Sequence, residues 1–306
     1  MKQHTLKKSY EFRGKGLHTG APGCLRIEPA PAGHGILFQR TDIEGCPTIR
    51  AIASNVGDVS FNTTLEENGV KVVLVEHILS ALAGLGVDNA LLKIDNVEVP
   101  VLDGSAAPFA EAIAADGLLE QDADRRFLEV KETFTYRDDR SDAWVRVEPC
   151  DRFEASLTID FNSPVVGVQT CVFDPTVDYL TQIAPCRTFC FFSQLEQLAA
   201  AGLVRGGDMD NAIVIVDREA DEASVQRVAR IFNARDIEVR QGYLSNVDLH
   251  FDNECARHKM LDLVGDFSLL GAPLKARITA FKTGHRVNNA VAKILLKQFT
   301  QDTPVL

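Results

Sequence analysis

Four short stretches alternate apolar with polar side chains and stop at turn residues, the pattern of half-buried strands. Leu25-Arg-Ile-Glu-Pro29 and Val145-Arg-Val-Glu-Pro149 share one design, each closed by proline. Each is followed by a second alternating stretch, Gly35 to Arg40 in the first half and Phe153 to Phe161 in the second. Helical spacing then follows in the same order. His77 to Gly84 places Leu79, Leu82 and Ala83 at i, i+3 and i+4, and His258 to Gly265 repeats this with Met260, Leu263 and Val264. Both runs reach a glycine, which marks a helix end or a point of close packing. Both lead to an apolar strand, Ala90 to Ile94 and Ala276 to Phe281. Ser105 to Ile113 reads as a further helix in the first half. In the second, Ser193-Gln-Leu-Glu196 reads as a capping box opening its counterpart.

The chain therefore reads as two copies of one plan: two α+β domains, each an antiparallel sheet with helices packed on one face. A length of 306 residues suits two domains. The polar stretch Glu120 to Arg126 reads as the linker, which divides the chain into 1–126 and 127–306. The second half is longer, so it carries insertions, placed around 162–186 and 217–250. The latter holds an extra surface helix, Ala223 to Asn233, with Val225, Val228, Ile231 and Phe232 at helical spacing.

Composition narrows the function. Apolar residues make up 45% and charged residues 25%, ordinary for a globular chain that can build a core. Lys plus Arg number 32 against 43 Asp plus Glu, a net charge of −11, which excludes a broad nucleic-acid surface but not a local pocket for one small anion. The basic start Met1 to Lys8 has no apolar stretch behind it, so no signal peptide is expected. The most apolar run, Ile78 to Leu92, is broken by Gly84, Gly86, Asp88 and Asn89, so no transmembrane segment is expected. Seven cysteines without a paired framework point to free thiols in the cytoplasm. The Cys186-x-x-x-Cys190 spacing fits neither a zinc ribbon nor a thioredoxin pair.

The chain has no P-loop, no Gly-x-Ser-x-Gly elbow and no His-Glu-x-x-His, and Gly14 to Gly20 is one residue too long for a dinucleotide fingerprint. What remains is a set of histidines and carboxylates. His258 and Asp262 stand at i, i+4 on one helix face, with Asp266 a turn further. Alone this is the mark of an ordinary solvated helix. The repeat adds His77 at the matching position. If the halves pack about a pseudo-twofold axis, two imidazoles and one carboxylate make a three-ligand set with a fourth position open, as in catalytic zinc sites. Glu76 beside His77 suits a general base, and equally a charge at a helix start. His285, after a strand and a glycine turn, suits presentation at a cleft, with Asp266 to fix its tautomer and raise its pKa. Lys259 could put positive charge near an oxyanion or a phosphate.

Together, several stretches resemble the zinc-dependent UDP-3-O-acyl-N-acetylglucosamine deacetylases of lipid A biosynthesis, the LpxC family. They are Gly16-Leu-His-Thr-Gly20, Val75-Glu-His77, Ala81 to Asn89, Asp103 to Phe109, Ile159 to Asn162, Arg187-Thr-Phe189, Gly206-Gly207, Arg257 to Asp262, Gly265-Asp266 and Lys282-Thr-Gly-His285. The resemblance implies two similar domains of β-α-α-β plan, an inserted element in each, and an active site between them. It implies zinc on His77, His258 and Asp262, Glu76 as base, and a protonated His285 oriented by Asp266. Thr188 and Lys259 match residues that polarise the amide carbonyl, and Phe189 one over the metal. Asp160, Phe161 and Lys282 match positions near the UDP-sugar, and Leu17, His18 and Gly207 are carried over as substrate-binding positions. The acyl passage of the family falls nearest residues 162–186. The implied reaction hydrolyses the 2-acetamido group of the acylated UDP-N-acetylglucosamine and releases acetate.

Departures from the family pattern are the long segment 217–250, Leu74 in place of a small polar residue, and Phe61-Asn-Thr-Thr64 where some relatives carry cysteine. Some relatives carry a fused dehydratase domain, for which this chain is too short. A zinc deacetylase of another N-acyl amino sugar is the nearest alternative, and a duplicated binding module with structural histidines the next. Acyl-chain length and oligomeric state are not legible from the sequence.

Overall fold

A computed structural model describes residues 1–200, 205–207, 211–217, 220–231, 237–245 and 248–302. Its frame is two sheets with one strand order. The first runs Tyr10–Lys15, Pro22–Pro29, Ala90–Ile94, Ile36–Arg40, Thr48–Arg50. The second runs Phe134–Arg137, Trp144–Pro149, Leu274–Phe281, Phe153–Asp160, Val168–Phe173, with Leu128–Glu129 alongside Leu274–Phe281. The matching stretches also share a register: Pro29 lies opposite Ala90, and Pro149 opposite Ala276. Inward faces are filled as alternation requires, by Leu25, Ile27, Phe38, Leu92 and Ile94 in one sheet and Val145, Val147, Leu157, Ile159 and Ile278 in the other, all fully buried.

In each sheet the central strand is antiparallel to one neighbour and parallel to the other. The α+β class holds, but the sheets are mixed. Alternation reports which face is buried and carries no information on strand direction.

Seven helices lie among the described residues: α1 (Glu76–Leu85), α2 (Ala107–Asp116), α3 (Tyr179–Gln182), α4 (Phe192–Ala200), α5 (Glu222–Ile231), α6 (Glu254–Ser268) and α7 (His285–Asp302). α1 and α6 pack directly on each other between the two sheets, α2 leans on α1, and α7 on α6. Neither repeat glycine ends its helix. α1 is closed by Gly86 in the left-handed region (φ 81°), and Gly84 lies inside it against the Tyr179 ring. Gly265 is interior to α6, where a Cβ would stand 2.3 Å from the Glu76 carbonyl oxygen. Close packing, the other reading of these glycines, is the one observed.

Several expectations change. The polar stretch Glu120 to Arg126 is mostly strand: Leu118–Asp124 pairs with Lys2–Leu6 in a two-stranded ribbon whose exposure explains its polarity. The helix α4 starts at Phe192, one residue early, and Ser193 does not cap it. Its N–H and hydroxyl both donate to Asp217, at 3.0 and 2.5 Å; the Glu196 side chain lies outside the described residues. α4 also belongs to an inserted unit. The true counterpart of α2 is α7, so His285 opens a helix and does not sit in a loop.

The inserted unit is a four-stranded sheet, ordered Phe189–Phe191, Ile213–Ile215, Tyr243–Leu244, Val239–Arg240, with its own core of Phe192, Leu195, Val214, Val228 and Leu244. It therefore starts near 189. Residues 162–186 supply the edge strand Val168–Phe173 and α3. The extra helix is present as α5, with Val225 and Val228 turned into that core; the Ile231 side chain and Phe232 lie outside the described residues. The first half carries a smaller insertion, the hairpin Leu65–Glu67 and Val70–Val72. No described helix is long and apolar enough to cross a membrane.

Candidate active site

The contact of α1 with α6 at Gly265 brings the two histidine positions of the repeat together. The His77 and His258 rings lie 5.1 Å apart at 87°. Asp262 Oδ1 stands 4.0 Å from His77 Nε2 and 3.4 Å from His258 Nε2, and the three ligand atoms all fall within 4.8 Å of one another. All three side chains are buried. His258 Nδ1 lies 3.0 Å from the Cys186 carbonyl, to which it can only donate, so its Nε2 lone pair faces Asp262. Asp262 Oδ1 is buried with no hydrogen-bond partner among the described residues. An orphaned carboxylate oxygen aimed at two imidazole nitrogens is costly without a cation.

Protonation states agree. Burial pushes His77 down to about 3, and His258 also downward, so both rings are neutral at pH 7. Burial would raise Asp262, but Lys259 and the surrounding histidines outweigh it and hold the carboxyl well below the usual range. Neutral imidazoles with an ionised carboxylate are the donor set a divalent cation requires, and the residues fit one.

Glu76 and His285 flank this set, with Glu76 Oε1 3.7 Å from His285 Nε2. Burial drives Glu76 up to about 7, against the pull of His285. Burial works against protonated His285 too, yet Asp266, Asp262 and Glu76 overcome it and raise the ring to about 9. His285 Nδ1 lies 3.1 Å from Asp266 Oδ2, as tautomer control requires. Lys259 donates to Asp262 Oδ2 at 2.8 Å, and its ammonium stands 5.3 Å from the Phe189 ring centre. Phe189 meets His258 edge-on at 6.1 Å. Thr188 is held by its backbone, N–H to the Gly104 carbonyl at 2.8 Å, at the entry to the inserted sheet.

Phe161 is partly exposed and packs at 5.5 Å on Phe189 and 5.3 Å on Phe191. Next to it, the Lys282 ammonium bridges Asp160 at 3.1 Å and Asp142 at 3.0 Å. The segment Gly16 to Gly20 meets Gly206-Gly207: the Gly206 N–H donates to the Leu17 carbonyl at 3.0 Å, and a Cβ on Gly206 would lie 2.0 Å from the Gly16 oxygen. His18 is buried there with both ring nitrogens unpartnered among the described residues. Leu17 packs with Leu74 and Val101. Leu74 takes a left-handed backbone, φ 63°, just before Val75-Glu76.

Sequence reasoning missed four polar residues. Glu98, buried, accepts the His18 and Thr19 N–H groups at 2.8 and 2.9 Å and fixes that loop. Thr63, Asn288 and Asn289 surround Asp266. The one available signal was the departure at Phe61 to Thr64. A cavity of about 840 Å³ opens beside the C-terminal turns of α1 and α6, lined by Leu82, Phe173, Tyr179 and Phe267. None of the residues named above as ligands, acid, base or substrate contacts borders it.

The model of the family UDP-3-O-acyl N-acetylglycosamine deacetylase, LpxC, matches residues 3–234 and 233–297. The chain is 40% identical to a UDP-3-O-acyl-N-acetylglucosamine deacetylase of Cellvibrio japonicus and 38% to one of Thioalkalivibrio sulfidiphilus, in each case over 97% of the chain and 91% of the relative. It is 40% identical over 97% of its length to a bifunctional enzyme LpxC/FabZ of Bacteroides thetaiotaomicron, of which it spans 65%.

Proposed function

Since the chain belongs to the LpxC family of UDP-3-O-acyl-N-acetylglucosamine deacetylases, we propose that it removes the N-acetyl group from a UDP-3-O-acyl-N-acetylglucosamine as a zinc-dependent amidohydrolase of lipid A biosynthesis. The observation that carries this reading is the meeting of His77, His258 and Asp262 from two helices, with Glu76 and His285 on their flank. His77, His258 and Asp262 hold the metal. Zinc held there would act as a Lewis acid, able to lower the pKa of a water to about 7 and to polarise the amide carbonyl.

The chain's own groups do the rest. Glu76 takes a proton from the attacking water; a carboxylate poised by burial near neutrality suits that work. The water oxygen adds to the acetamide carbonyl carbon. Lys259 and Thr188 stabilise the charge that develops on the amide oxygen. His285, protonated and held by Asp266, gives its Nε2 proton to the amide nitrogen as the C–N bond breaks, which yields a free amine and acetate. Phe161, Asp160 and Lys282 hold the nucleotide sugar, together with Leu17, His18 and Gly207. The inserted sheet, Phe189 to Leu244, guides the acyl chain. Seven free cysteines fit a cytoplasmic location.

The test measures zinc content and acetate release together. His77→Ala and Asp262→Ala are each expected to lose the metal and at least 10³-fold of turnover, a loss on the order expected when catalytic metal is removed. Full activity in zinc-free His77→Ala protein would reject the reading. Competition between short-chain and long-chain 3-O-acyl substrates separates it from deacetylation of another amino sugar.

A further inference from the structure

Thr63 stands where the proposed base and the proposed acid meet. Its backbone N–H donates to Glu76 Oε2 at 2.9 Å. Its hydroxyl donates to Asp266 Oδ1 at 2.6 Å, which turns an oxygen lone pair toward His285 Nδ1 at 3.2 Å. Thr63 is fully buried and belongs to the loop before the Leu65–Glu67 hairpin of the first half. Asp266 and His285 lie on α6 and α7 of the second half.

α7 completes the arrangement. Asn288 and Asn289 follow His285 at i+3 and i+4, on one helix face. Asn288 Nδ2 donates to Asp266 Oδ2 at 2.9 Å, while its Oδ1 accepts from Thr283 at 2.5 Å. Asn289 Nδ2 reaches Asp266 Oδ1 at 3.1 Å, Thr63 Oγ1 at 3.3 Å and the His285 carbonyl at 2.9 Å. The asparagines tie Asp266 to its own half. Both donors that link the halves here, the Thr63 hydroxyl to Asp266 and Asn289 Nδ2 to Thr63, run through the Thr63 oxygen. The His285 Nδ1–H thus faces two acceptors, one from each half, and two acceptors define a ring plane where one leaves it free to rock.

We propose that Thr63 is a positioning residue for deacetylation: its peptide nitrogen holds Glu76 and its hydroxyl holds His285, so that acid and base keep one spacing across the two halves. The inference rests on the deacetylase reading.

Thr63→Val keeps the N–H bond to Glu76 and the shape of the side chain, and removes only the hydroxyl. It is expected to lower kcat for acetate release by about 10- to 100-fold, part of what a well-placed general acid contributes, with KM and zinc content unchanged. Thr63→Ser is expected to restore kcat to within about threefold of wild type, since the lost methyl bears on packing alone. In crystal structures the His285 ring keeps one orientation in wild type and Thr63→Ser and adopts another, or several, in Thr63→Val. Wild-type kcat in Thr63→Val, a KM that rises in step with any loss, lost zinc, or an unmoved His285 ring overturns the proposal. Should Thr63→Val not fold, Thr63→Ala carries the same comparison. Absence of acetate release by the wild-type holoenzyme refutes the deacetylase reading instead, and the ring orientation then still decides whether Thr63 positions His285.

Discussion

In the proposed mechanism Glu76 and His285 need opposite protonation states, ionised for the base and protonated for the acid. The rate should therefore rise through the Glu76 pKa, below 7 once a cation lowers it, and fall through that of His285 at or below about 9. Stability carries a related signature. In metal-free protein His285 titrates near 9 when folded and near 6.5 when unfolded, so between these values the folded state holds more protons. Its contribution is complete below 6.5 and lost as pH rises toward 9. Between pH 7 and 7.5, before thiols begin to ionise in the unfolded chain, urea unfolding is expected to show stability falling with a slope of up to about 1.4 kcal/mol per pH unit from His285. His285→Gln should flatten that slope, and an unchanged slope in the variant would count against the assignment. At this scale the meeting of His77, His258 and Asp262 was legible because helical spacing and the repeat constrained them jointly. Thr63, Asn288, Asn289 and Glu98 were not. Polar residues near turns have many uses, and only the folded chain sets them against Asp266 or the Gly16 to Gly20 loop.

Gly265 shows how an element can depend on one missing methyl group. Alanine would favour the α6 helix by about 1 kcal/mol. At this position, though, its Cβ would sit 2.3 Å from a backbone oxygen that cannot swing aside. Overpacking of this kind costs about 1–3 kcal/mol, so Gly265→Ala is expected to lower stability on balance and to displace Glu76 from the site. Thermal unfolding and kcat measured on one preparation check both effects. The inserted sheet makes the contrasting case. Val228→Asp would put an unpaired charge into its separate core and should disorder that unit, raising KM for long-chain substrate while zinc stays stoichiometric. Strands and helices with strong periodicity were readable ahead of the structure. Strand direction, the Leu118–Asp124 ribbon and α7 were not, because alternation is blind to direction, an exposed two-stranded ribbon is polar like a linker, and the Gly284 turn drew attention from the helix it begins.

At the scale of the molecule, the proposed metal set takes one histidine from α1 and its other two ligands from α6, so a cation bound there would tie the two helices together. Zinc should raise the midpoint of thermal unfolding by mass action, and a chelator should lower it. His258→Ala is expected to abolish the difference, which calorimetry with and without zinc would measure. Two-domain organisation was legible in the repeat itself, since Leu25 to Pro29 and Val145 to Pro149 take equivalent places in the two sheets.

The central strand of each sheet is also the last of its sheet to be synthesised. Ala90–Ile94 fills the gap between its neighbours only after Thr48–Arg50 has been made, and Leu274–Phe281 closes the second sheet only after the whole inserted unit has emerged. On the ribosome the earlier half can settle around residue 94 while the later one waits as an open sheet with a bare slot. Chaperone dependence during translation should fall on that waiting interval, and mutations that delay docking of Leu274–Phe281 should cut yield more than they cut the stability of the finished enzyme.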